Sequence, residues 1–136
     1  MTSVLNVDTI ADKAGTGPVE LTKQSAAKTV VNFQGSGTAV LNGSPLNASS
    51  LVDRGTGLYT VNYTNSFSDT NYTTASHIRD GGGENDVRVV CTSDDSGTYT
   101  TGLIKLIAGY HNASTNGAII LDDGTSITFI QHGDLA

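Results

Sequence analysis

The sequence predicts an all-β domain, and three features of it carry that prediction. Glycine (16 of 136 residues) with serine, threonine and asparagine displaces the helix formers and favours turns and strands. Short stretches of alternating apolar and polar residues recur, as half-buried strands require. Gly- and Asp-rich turns separate them at a spacing of roughly 8–12 residues, the cadence of a β-sandwich. No helix–strand alternation of the α/β kind interrupts the pattern.

The elements follow in order. Residues 1–24 have only the weak apolar spacing Val4, Val7, Ile10, broken at Ala14-Gly15-Thr16-Gly17-Pro18. They predict an extended N-terminal arm that leans on a neighbour for burial. Residues 25–136 form the predicted sandwich domain. Ser25-Ala26-Ala27-Lys28 holds the best helix formers and predicts a single helical turn. Strands are expected at Thr29–Phe33 and Thr38–Leu41, around the loop Gln34-Gly35-Ser36-Gly37. A hairpin over 46–63 turns at Asp53-Arg54-Gly55-Thr56-Gly57, with Tyr59, Val61 and Tyr63 on its buried face. Further strands are expected at Tyr72–Ile78, Asp86–Thr92 and Tyr99–Ile107, the last apolar on both faces at Leu103-Ile104-Lys105-Leu106-Ile107. Ala118–Leu121 and Ser126–Ile130 complete the set, and Asp123-Gly124 between them is a strong hairpin signal.

Composition narrows the function classes. Apolar residues are 37% and charged residues 15%, a thin supply for the core of a 14.0 kDa monomer, so subunit packing is expected to add burial. The net charge is −6 and the seven Lys+Arg stand singly, which argues against nucleic acid as a partner. No run approaches the roughly 18 apolar residues of a membrane span. No signal-peptide pattern opens the chain either, so a soluble protein without a secretion signal is expected. The single cysteine, Cys91, excludes an intrachain disulfide and is expected to be buried beside Val87 and Val89.

No Gly-x-Ser-x-Gly elbow, His-Glu-x-x-His pair or P-loop occurs. The acids sit in turns (Asp53, Asp94-Asp95, Asp122-Asp123), where Asp bends backbone. The acidic turns lack calcium-loop ligand spacing. His77, His111 and His132 read as surface or structural residues rather than metal ligands. Neither an enzyme, a cofactor nor a metal is expected.

Two stretches resemble the tail-fibre proteins of marine and cyanobacterial bacteriophages. One comprises Ser3, Leu5, Asn6, Val7, Asp8, Thr9, Ile10, Asp12, Lys13, Gly15, Thr16 and Gly17. The other is the hairpin core Asn47, Ser49, Ser50, Asp53, Gly55, Thr56, Gly57, Tyr59, Thr60, Val61, Asn62 and Tyr63. Gln24-Ser25-Ala26-Ala27-Lys28 and Val31-Asn32-Phe33 are similar too, though Val30 stands where such proteins have a tryptophan. The resemblance covers residues 3–17 and roughly 24–70, leaving 75–136 unmatched. It implies a homotrimeric virion protein, made in the host cytoplasm, joined to the tail or an adaptor protein through Val4, Leu5, Val7 and Ile10. It also implies a distal half that meets a host-surface glycan or protein.

Polar loops in that half supply the candidate receptor-binding residues Tyr72, His77, Arg79, Asp80, Glu84, Asn85, Tyr99, Tyr110, His111, Asn112 and Asn116. Flat rings suit sugar faces, and the amide, carboxylate and guanidinium groups offer paired donors and acceptors. The alternatives are a fibre connector or capsid decoration protein without receptor contact, and a glycan-degrading enzyme, for which the chain is short.

Overall fold

The computed structural model describes residues 26–79, 87–92, 100–111 and 118–136. The expected arm, with Val4, Leu5, Val7 and Ile10, lies outside them. The described residues are all-β, with nine strands: β1 (Thr29–Gln34), β2 (Val40–Leu41), β3 (Ala48–Gly55), β4 (Leu58–Tyr63), β5 (Thr73–Arg79), β6 (Val87–Thr92), β7 (Leu103–His111), β8 (Ile119–Leu121) and β9 (Ser126–His132). All pair antiparallel, in two sheets: a four-stranded one ordered β2-β1-β9-β5, and a five-stranded one ordered β3-β4-β7-β6 with β8 also on β7.

One core serves both sheets. Val31, Phe33, Ile78, Ile127 and Phe129 from the first meet Tyr59, Val61, Ile104, Leu106 and Ala108 from the second. Each large side chain so buried stabilises the fold by about 1.5–3 kcal/mol. Aromatic pairs close the two ends. Phe33 meets Tyr59 edge-on at 4.9 Å between ring centroids, and at the other end Tyr63, Phe67 and Tyr72 cluster at 4.7–6.4 Å.

The β3–β4 hairpin shows what its motif residues do. Asp53 Oδ1 accepts the Gly55 amide at 2.9 Å and sets the turn. Gly57 has a φ of 68°, and a Cβ there would lie 2.3 Å from the Ala108 carbonyl oxygen, so only glycine fits. Buried Asn47 also takes a left-handed φ of 59°, and its Oδ1 accepts the Asn65 amide at 2.7 Å. Its Nδ2 donates to the Asn65 carbonyl at 3.1 Å and to Thr29 Oγ1 at 3.3 Å. Asn62 Nδ2 donates to Ser50 Oγ at 2.8 Å across the hairpin. These residues hold the frame.

Three expectations need correction. Ala26–Lys28 is not helical: Lys28 N–H already donates to the Gln131 carbonyl at 2.8 Å, entering the sheet. Asp123-Gly124 does not make a hairpin, because β8 pairs with β7 and β9 with β1 and β5, so the segment crosses between sheets. The strands on either side of the Gly-rich segment, β5 and β6, belong to different sheets and touch through Ser76 Oγ, which donates to the Val90 carbonyl at 2.9 Å. Cys91 is exposed, because in β6 it is Val90, opposite Ala108, that packs on the core; Val87, Val89 and Cys91 share the outward face.

Candidate functional site

Strand pairing decides where the candidate residues stand. Val87 opposes His111, so the segments preceding β6 and following β7 leave from one end of the fold. Arg79 ends β5 opposite Ser126, beside the 122–125 crossover, and Thr125 Oγ1 donates to the Arg79 carbonyl at 2.9 Å. The segment after Thr92 begins further along β6, where Thr92 opposes Leu106, and returns at Thr100, whose carbonyl accepts the Tyr72 hydroxyl at 3.3 Å. Arg79, Val87 and His111 thus stand at one end of the fold, and Thr92 and Thr100 toward the other. Asp80, Glu84, Asn85, Tyr99, Asn112 and Asn116 lie outside the described residues.

The shared end is braced by the crossover. Asp123 Oδ1 accepts the Gly57 amide at 2.7 Å and the Tyr59 hydroxyl at 2.5 Å. The Gly124 carbonyl accepts the Gly35 and Ser36 amides at 3.0 and 3.2 Å. A Cβ on Gly35 would lie 2.3 Å from the Tyr59 hydroxyl oxygen. Burial raises the Tyr59 hydroxyl well above the usual phenol range, and the Asp123 carboxylate adds to that. Next to this brace Asp122 pairs with the Arg88 guanidinium, whose central carbon sits 4.8 Å from the Tyr110 ring centroid. Arg88 is mostly covered and Asp122 over a third exposed. A cation held between a ring and a carboxylate fixes Tyr110 at the mouth of the core and offers part of the carboxylate to solvent.

Tyr110 and Arg79 therefore stand at one end, with His111 half-buried beside Val87 and Ile119 on the outside of the five-stranded sheet. His77 is exposed on the outer face of β5, on the same side of the strand as Arg79. Tyr72 belongs elsewhere: 6% exposed and packed on Phe67 and Tyr63, it has no ring face to offer a ligand. Tyr63 is also buried, which raises its hydroxyl well above the usual range; Tyr72 adds to this and the Gln131 amide partly offsets it.

Sequence reasoning missed Arg88 and treated Asp122 and Asp123 only as turn formers. The sequence carried no signal for the pair, because Val87 and Val89 read as the buried face and set Arg88 outward, whereas the fold turns it toward Asp122.

Beside the outer-face candidates runs a polar ladder. Asn42 Nδ2 donates to Asn32 Oδ1 at 2.8 Å, and Asn32 Nδ2 donates to Thr128 Oγ1 at 3.1 Å, with His77 opposite Thr128. A cleft of about 230 Å³ opens between the edges of β5 and β6, lined by Thr74, Ser76, Val90, Cys91, Thr92 and Leu106. Its hydroxyls and one thiol form no acid–base or nucleophile–base pair. Among the described residues no three of His, Cys, Asp and Glu converge as a metal site would need. Comparison with protein-family models, with curated proteins and with solved structures finds no match for this chain.

Proposed function

We propose that this chain is a tail-fibre-like structural protein of a bacteriophage virion. In this reading it is a homotrimer, joined to the tail or an adaptor protein through residues 1–24 and non-catalytic. It contacts a host-surface glycan or protein at the end of the fold that carries Arg79 and Tyr110. The observation that carries the reading is the tail-fibre motif, whose residues Asn47, Asp53, Gly57, Tyr59 and Asn62 form one interlocked hairpin frame. The receptor end is favoured because β5 and β7 deliver candidate residues there while the motif residues are consumed in holding the scaffold.

Adsorption tests it. Purified protein added in excess should slow phage attachment to host cells, and Arg79→Ala with Tyr110→Ala should abolish that competition while the fold persists. Competition by the doubly substituted protein equal to that of the unaltered one would remove the receptor-contact reading. A fibre connector would then remain.

A further inference from the structure

The outer face of the five-stranded sheet carries an apolar patch over β6, β7 and β8. Its register sets Val87 and Ile119 on either side of His111, and Val89 and Leu121 on either side of Gly109. Further along, Cys91 and Leu58 flank Ile107, and Val52 lies beyond Thr60 and Lys105. Val87 is 64% exposed, Ile119 48%, Val52 46% and Leu121 40%. β7 thus presents apolar side chains to both sides, Ile104 and Leu106 inward and Leu103 and Ile107 outward, the habit of a strand covered on both faces.

We propose that this face is the surface through which copies of the chain pack on one another. The inference deepens the trimeric reading above and rests on it. Two observations select another copy over other occupants. The first is charge. The chain carries −6, so copies repel wherever their acids face each other. Among the described residues this face bears no carboxylate, and the full charges that register places on it, Lys105 and Arg54, are both cations.

The second is area. Three to four strands about 4.8 Å apart, along a nine-residue β7, give a projected face of roughly 450 Å². Side-chain relief brings that near the about 800 Å² per partner of a stable interface. An extended peptide would cover one or two strands of it, whereas a folded copy covers all. The apolar patch itself, at several hundred Å², is the size that marks a contact surface on a soluble chain.

Cys91 is the only cysteine and stands on this face, so it reports on the contact without any substitution. The experiment follows its reaction with a thiol reagent across a dilution series, alongside native mass by light scattering. In the assembled protein the thiol is expected to react at least about tenfold more slowly than after dilution to monomer. Val87→Asp with Leu121→Asp should bring the mass to 14.0 kDa and the thiol to its fast rate. Val40→Asp with Leu46→Asp, exposed positions away from this face, should leave both unchanged. An assembly with a fast-reacting Cys91, or one that survives the face substitutions, would overturn the assignment of this face while leaving the trimer standing. An unaltered chain that stays at 14.0 kDa at every concentration would overturn both.

Discussion

The two outer faces of this molecule are built from the same kind of strand and finish differently. On the four-stranded sheet the outward positions of β1, β9 and β5 include Asn32, Thr128 and His77, and the first two bond to each other. That face satisfies its polar groups and meets water. On the five-stranded sheet the outward positions of β6, β7 and β8 are mostly valines, isoleucines and leucines, joined by Cys91, Gly109, His111 and Lys105. Both sheets pair antiparallel and contribute to one core, so the difference lies on their outer faces. It concerns what each face meets next, and we assign solvent to one and another copy to the other.

Damage to what both faces share has the largest effect. Phe129, 1% exposed on β9, supports both sheets; Phe129→Ala is expected to cost about 3–5 kcal/mol in denaturant unfolding and to blur both faces together. Asn47→Ala comes next. It removes three hydrogen bonds from a buried, left-handed position, for an expected loss of about 2–4 kcal/mol.

Alkaline pH probes the inner frame more gently. Tyr59 and Tyr63 hold their protons more tightly folded than unfolded, where a phenol titrates near about 10. The unfolded chain thus releases protons first, so stability is unaffected by these groups below that pH and falls as pH rises above it. Thermal melts should show that decline, and Tyr59→Phe should flatten it while costing about 1 kcal/mol at neutral pH through the lost Asp123 bond. The smallest effect belongs to the polar face. Asn32→Ala should cost less than about 1 kcal/mol and leave native mass unchanged, which separates that face from the apolar one.

Much of the fold was legible because period-two alternation survives in β1, β4, β7 and β9, each with its inward residues buried in turn. Partnering was less so. Asp-Gly signals a hairpin by local geometry, but here Asp123 is held by Gly57 and Tyr59, more than sixty positions away, and no local rule registers such a tie. The facing of β6 was missed for a similar reason. Val87-Arg88-Val89-Val90 is apolar at both parities, and only the Arg88–Asp122 pair and the Val90–Ala108 contact reveal which parity points in. Candidate site residues were legible as polar and near turns. That Tyr72 is core while Tyr110 sits at the mouth depends on Phe67 and Arg88, residues the sequence order does not place beside them.

Native molar mass over a wide concentration range shows whether other copies of the chain cover the apolar face. A mass of about 42 kDa, three times 14.0 kDa, is expected, falling toward the single-chain value only on strong dilution. A mass of 14.0 kDa at every concentration would contradict it, leaving a monomer that exposes its apolar face to water.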